Sequence, residues 1–268
     1  MFEKVQDKIC EWVLAYIEKP LRHYEPFSLS SPETLRAALE PGDVLLVEGN
    51  LRISAIIKYL TQSTWSHMAF YIGDALGPAA AGGEPASLIE AGARDGVVAV
   101  PLSKYASFNT RICRPVGLSE PDRRKVADFM IAGLGLAYDT RNITDLMRYL
   151  FPLPPVPVRF RRRMLALGSG DPTRAICSSL IAQAFQSVRY PILPSTTAAK
   201  PQGLGDRSYT EKEILHIRHH SLYTPRDFDV SPYFRVIKPT LEGDFDYKAL
   251  VWEDDAATAA LAASEPIS

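Results

Sequence analysis

The stretch "ICSSLIAQAF" (176–185) puts a cysteine, Cys177, at the head of a run with helical apolar spacing. Leu180, Ile181, Ala184, Phe185 and Val188 recur at three and four residues, and stepping back from Leu180 and Ile181 lands on Cys177. The thiol is therefore expected on the buried face of a helix, against the sheet that helix covers. A thiol in the first turn meets unpaired backbone N–H groups and the positive end of the helix dipole, both of which favour thiolate. Asp171–Pro172 offers a second start for the same helix, and from there Cys177 falls in the second turn, where the effect is weaker. Taken alone, such a cysteine is most simply a small buried hydrophobe.

A thiolate nucleophile needs a base, and the base needs a third group to hold its ring. "SHMAFYI" (66–72) has the character of a strand, with His67, Ala69 and Tyr71 on one face and Met68, Phe70 and Ile72 on the other. The small or polar-tipped companions of His67 leave room for a thiol on its face. In the next strand, "LIEA" (88–91), Glu90 is a lone carboxylate within an apolar run, a costly placement unless it is paired. If the two strands pair, Glu90 can accept a hydrogen bond from His67. The result is a Cys177, His67, Glu90 constellation in the chain order His, Glu, Cys. Ser178, Tyr71 and Trp65 are candidates for binding substrate or oxyanion, with the backbone N–H near Cys177 or Ser178 as the oxyanion donor. A satisfied core histidine and a strand-edge charge are the plainer readings of His67 and Glu90.

Other chemistries have less support. In "HIRHH", His216 and His220 lie four apart and would share the face of a helix expected near Thr210–His219, where they could hold zinc. No HExxH pattern accompanies them and no third ligand is evident. A serine hydrolase elbow, G-x-S-x-G, is absent. Cys10 and Cys113 lack such partners nearby in sequence and read as structural. No metal or other cofactor is expected.

These residues must be positioned by a mixed framework. An amphipathic helix carrying Phe2, Val5, Ile9, Trp12, Val13, Tyr16 and Ile17 ends at Pro20, and a short helix capped by Ser31 follows. Strands are expected at "DVLLV" (43–47), 66–72, 88–91, "GVVAV" (96–100) and "RICRP" (111–115), with a helix over 53–60. A helix opens at Glu120–Pro121 and closes on glycines. A proline-rich connector, "FPLPPVPV", then runs into the basic cluster Arg159, Arg161, Arg162 and Arg163 before the cysteine helix. A strand "YFRVI" (233–237) follows. The expected organisation is a helical extension over 1–40, a catalytic domain over 41–240, and a partly disordered tail over 241–268.

The 268 residues, 46% hydrophobic and 23% charged, suffice for a proper core. A net charge of -1 gives no electrostatic case for nucleic acid, and three scattered cysteines suit a reducing compartment. No apolar run approaches the roughly 20 residues of a membrane span. Glu3, Lys4, Asp7, Lys8 and Glu11 argue against a signal peptide, so a cytoplasmic protein is expected. The four arginines could still give weak peripheral contact with anionic lipid.

"PGDVLLV", "STWSHMAFYIGD", "LIEAG", "GLAYD" and "CSSLIAQAF", with the later "YTPRDFDVSPYF", together resemble the permuted papain-like NlpC/P60 superfamily, in its YiiX/YaeF-like branch. The resemblance covers roughly residues 41–234. It implies an α+β fold in which the cysteine helix packs on a small antiparallel β-barrel or sheet, circular permutation having placed the histidine strand first. It also implies Cys177 as nucleophile, His67 as base and Glu90 as orienting group of a cysteine amidase or peptidase-like hydrolase. Acyltransferase or lipase-like action on lipid esters, and an inactive binding module on the same fold, are the alternatives. The substrate would be a small amide, a peptide or an acyl-lipid.

Overall fold

The computed structural model describes residues 15–16, 18–21, 24–26, 31–79, 82–92, 95–136, 176–198, 213–216 and 223–239. The N-terminal helix beyond Ala15 and Tyr16, the connector with its four arginines, the start at Asp171–Pro172 and the tail lie outside them. The first described helix, α1 (Pro32–Ala38), begins as its sequence dictates: the Ser31 side chain accepts from the Thr34 N–H, and proline opens the first turn. Strand β1 (Val44–Val47) follows a turn at Gly42, whose φ of 99° is a left-handed conformation that favours glycine.

The next elements are α2 (Arg52–Thr61), β2 (His67–Tyr71), β3 (Ala86–Gly92), β4 (Gly96–Pro101), a 3-10 turn (Leu102–Tyr105) and β5 (Thr110–Pro115). After these come α3 (Glu120–Ala132), α4 (Ile176–Ser187), β6 (Ser195–Ala198), β7 (Glu213–His216), α5 (Pro225–Asp229) and β8 (Phe234–Ile237). Six strands form one antiparallel sheet in the order β4-β3-β2-β1-β5-β8. The sheet is open, with β4 and β8 as its edges, so the barrel form of the expectation is corrected to a sheet. Its apolar face is covered by a helix and not by the sheet curling onto itself, which leaves closure without a driving force.

All four residues of β1 are buried because both faces of the sheet are covered. Val44 and Leu46 join one cluster with Met68, Phe70, Ile89 and the α4 residues Leu180, Ile181 and Phe185. Leu45 and Val47 join a second cluster with Ala69, Tyr71, Leu88, Leu35 of α1, and Leu102 and Tyr105 of the 3-10 turn. The cysteine helix therefore packs on the Met68/Phe70 face. Phe185 anchors it there, with ring centroids 6.1 Å from Phe70, 5.5 Å from Tyr190, 6.3 Å from Phe228 and 5.3 Å from Phe234.

The segment expected as a helix near Thr210–His219 is in part a strand: β7 pairs with β6 from Ser195↔His216 to Ala198↔Glu213. The β-branched "STTA" offers a partner edge that local apolar spacing cannot reveal, and tertiary pairing decides. His216 is thus on a strand, and the helical face it was expected to share with His220 is not formed there. His220 itself lies outside the described residues.

Phe185 is fully buried at the convergence of α4, β2, α5 and β8. Phe185→Ala is expected to cost about 3–5 kcal/mol, with Phe185→Leu costing less. Urea unfolding of the three proteins checks this; equal stabilities would show that the cluster does not hold the helix.

Candidate active site

Glu90 lies in β3 opposite Val98 of β4, and it is one of the few buried charges in the sheet, at 5% exposure. An isolated carboxylate there would be strongly disfavoured. Both of its oxygens are occupied. Oε1 accepts from Lys104 Nζ, and Oε2 accepts from the Tyr105 hydroxyl. His67 Nε2 lies 3.2 Å from the same Oε2. Lys104 and Tyr105 come from the 3-10 turn that follows β4 and packs against β3. The Tyr105 ring also stands 6.2 Å, centroid to centroid, from the imidazole.

His67 opens β2, with a quarter of its side chain exposed. Its Nε2 is turned to Glu90, so Nδ1 is the ring nitrogen left for a second partner. Cys177 is the further side chain that acts on this imidazole, through its charge and its capacity to hydrogen-bond. Burial alone would lower the imidazole pKa. Attraction to the anionic form of Cys177, hydrogen bonding with it, and the Glu90 hydrogen bond and charge outweigh burial and raise the pKa to about 10. For Glu90, burial pushes upward, while the His67 hydrogen bond and charge and the bonds from Lys104 and Tyr105 bring the carboxyl down to about 2. Tyr105 is held protonated well above the usual phenol range, by burial first and then by the Glu90 charge. The arrangement favours a protonated imidazole beside an ionised Glu90.

The thiol reaches His67 by a route different from the one expected. Cys177, 4% exposed, belongs to the Met68/Phe70 cluster, whereas Ala69, Tyr71 and Leu88, which alternate with His67 and Glu90, belong to the opposite one. The β2–β3 ladder consists of Phe70↔Ile89 and Tyr71↔Leu88 only. Towards His67 the β2–β3 ladder has no further pairs, and the imidazole is influenced by a thiol that belongs to the helix-covered layer. The small companions of His67 are packed in the Leu45/Leu88 layer and do not make the room.

The remaining candidates separate clearly. The Ser178 hydroxyl donates to the Tyr223 carbonyl at 2.7 Å and is fully buried, so it fixes α4 to the segment before α5. Trp65 is buried near the start of β2, with the Arg111 guanidinium 5.0 Å above its ring. The structure does not bring Tyr71 to the group. Its charged neighbours are Arg36, Asp74 and Asp43, and no hydrogen bond links it to Cys177, His67 or Glu90. Cys113 is fully buried, and burial followed by the Asp229 charge pushes its thiol far up. Among the described residues, no group of three or more His, Cys, Asp or Glu side chains could hold a metal ion.

Sequence reasoning missed Lys104 and Tyr105, which sit in an unremarked "PLSKY" after β4. The available signal was the need of Glu90 for a counterion: Lys104 lies 14 residues on, just beyond the β3–β4 hairpin.

The pKa directions give a pH dependence. Glu90 titrates lower in the fold than its ordinary 4.5, so its stabilisation is complete above that value and is lost as pH falls towards 2. His67 titrates higher than its ordinary 6.5, so its contribution is complete below that value and is lost as pH rises through about 10. Between the two Glu90 values, urea-derived stability is expected to fall by about 1.4 kcal/mol per pH unit on its account. Glu90→Gln is expected to remove that slope. In proton NMR, His67 is expected to titrate lower in Cys177→Ser and in Glu90→Gln; an unmoved titration would dissolve the coupled group.

No family model matches this chain, and no curated protein does. Among solved structures, the chain is similar to metalloprotein yiiX from Escherichia coli O157:H7. The identity is 17%, over 75% of this chain and 97% of that one, with a TM-score of 0.44.

Proposed function

We propose that the chain is a cysteine-dependent hydrolase that works by acyl transfer, of the amidase or peptidase type. The observation that carries this is His67 held 3.2 Å from the buried Glu90 carboxylate, with Cys177 acting on the same imidazole. A thiol joined to an imidazole, itself held by a fixed anion, is the minimal equipment for covalent acyl chemistry. The motif words shared with the permuted papain-like superfamily support the same reading.

In this scheme Cys177 passes its proton to His67 as its sulfur attacks a substrate carbonyl, a C–S bond forms, and the carbonyl electrons move onto oxygen. Backbone N–H groups of Cys177 and Ser178 are suited to receive that oxyanion. His67 gives its Nδ1 proton to the departing amine or alcohol as the C–N or C–O bond breaks, leaving a thioester. Water then attacks the thioester, His67 takes its proton, and the C–S bond breaks to release the acid and the thiolate. Glu90 stays ionised throughout. Lys104 and Tyr105 keep its carboxylate from turning, so the ring keeps Nδ1 towards the sulfur.

Iodoacetamide labelling at neutral pH, mapped by peptide mass spectrometry, tests the nucleophile directly. Cys177 is expected to react faster than Cys113, and His67→Ala is expected to slow it at least tenfold. Any amide or thioester hydrolysis is expected to survive a chelator, to vanish in Cys177→Ala, and to drop by about 10²–10⁴ in His67→Ala. Labelling of Cys177 and Cys113 at equal rates, indifferent to His67, would refute the proposal.

A further inference from the structure

A cleft of about 600 Å3 opens at the end of the sheet where β2 begins, and its charged lining is Glu48, Lys58, Arg111, Arg226 and Asp229. Both walls are tied to the thiol–imidazole pair. One wall carries Trp65, which leads through Ser66 into His67. The other is α5 with Arg226, and the Tyr223 carbonyl just before it accepts from Ser178, the neighbour of Cys177. Cys177 and His67 do not line the cleft themselves; it is bordered by the segments that lead into them, so a compound seated there must extend out of it to reach the sulfur.

The charges in the cleft do not cancel. Lys58 Nζ is 2.8 Å from Glu48 Oε1, and Arg111 is 2.6 Å from Asp229 Oδ1, so two cations are neutralised within the wall. Among the described residues, no carboxylate pairs with Arg226: it donates from one terminal nitrogen to the Thr61 carbonyl at 3.1 Å, and these residues take no other of its five N–H donors. A planar guanidinium with free donors in a concave, partly desolvated wall matches the two oxygens of a carboxylate or phosphate.

We infer that this cleft seats the anionic end of the substrate, a carboxylate or a phosphate, with Arg226 as its anchoring cation. The substrate is then an acyl compound with a terminal oxyanion, and the inference rests on Cys177 being the nucleophile. A purely structural Arg226, capping the end of α2 through Thr61, would affect stability and leave reagent preference unchanged.

Alkylation with tethered anions separates these cases. N-iodoacetylglycine, N-iodoacetyl-4-aminobutyrate and N-iodoacetyl-aminoethyl phosphate are each compared with their neutral analogues, using N-iodoacetylglycinamide for the first. In each, the thiolate displaces iodide, an S–C bond forms and the C–I bond breaks. At least one anionic reagent is expected to label Cys177 tenfold faster than its neutral partner, with saturating kinetics, and the preference should fall as salt rises. The carboxylate and phosphate arms identify which oxyanion the site takes, by which saturates at lower concentration. Arg226→Gln is expected to bring the anionic-to-neutral ratio to about one, and Arg226→Lys to leave an intermediate ratio.

A wild-type ratio at or below one for every anionic reagent overturns the inference, as does a preference that survives Arg226→Gln or ignores salt. If Arg226→Gln does not fold, judged by its melting curve, the wild-type ratio and its salt dependence still decide. Slow labelling of Cys177 by iodoacetamide itself would instead remove the nucleophile on which the inference rests.

Discussion

A carboxylate buried inside a β-sheet layer is the constraint around which this end of the molecule is arranged. Glu90 cannot remain ionised at 5% exposure without donors, and it receives them from three directions: the start of β2, and two successive residues of the turn after β4. Each donor fixes a segment. His67 sets where β2 begins against β3, and Lys104 with Tyr105 folds the turn back over the hairpin. A half-satisfied network of this kind is worse than an apolar core, whereas a complete one admits few alternative packings. The chemistry and the local fold thus draw on the same four side chains.

The cysteine is delivered by an independent mechanism. The position of α4 follows from packing Leu180, Ile181, Ala184 and Phe185 against the Met68/Phe70 face. The Ser178 bond to the Tyr223 carbonyl fixes its first turns to the segment leading into α5. An apolar contact surface of this size has little give, because close-packed interiors transmit displacement without absorbing it. The sulfur therefore arrives at a height set by the core, while the imidazole arrives at a height set by Glu90.

Much of this was legible in the chain. The burial of Cys177 follows from the spacing of Leu180, Ile181 and Phe185, and the pairing of His67 with Glu90 follows from the demand of a lone carboxylate in an apolar strand. Five of the six sheet strands were placed by short apolar runs between turns, and the last by "YFRVI". What was not legible depends on contacts distant in sequence. Lys104 and Tyr105 carry no local pattern, and only the fold-back of their turn gives them a role. The helical spacing around Ile214 and Leu215 lost to pairing with Ser195–Ala198, a partner that no window around β7 contains. The face of His67 was misjudged because alternation specifies which residues share a side, and not which side the helix will cover.

The β2–β3 ladder ends before it reaches His67. If the ladder continued, Glu90 would pair with Ala69. Beyond the His67–Glu90 contact, the start of β2 has no ladder pairing with β3, and β1 supplies the backbone hold. Val47 pairs with His67, and the Ser66 N–H donates to the Val47 carbonyl at 3.2 Å. The Ser66 hydroxyl accepts from the Gly49 N–H at 3.0 Å. Gly49 has no room for a side chain: a Cβ there would lie 2.3 Å from Ser54 Oγ and 2.9 Å from Ser66 Oγ. One side of β2 is thus locked by close backbone approach while the other is left unpaired. The lock keeps His67 fixed against β1 while Glu90 holds its ring.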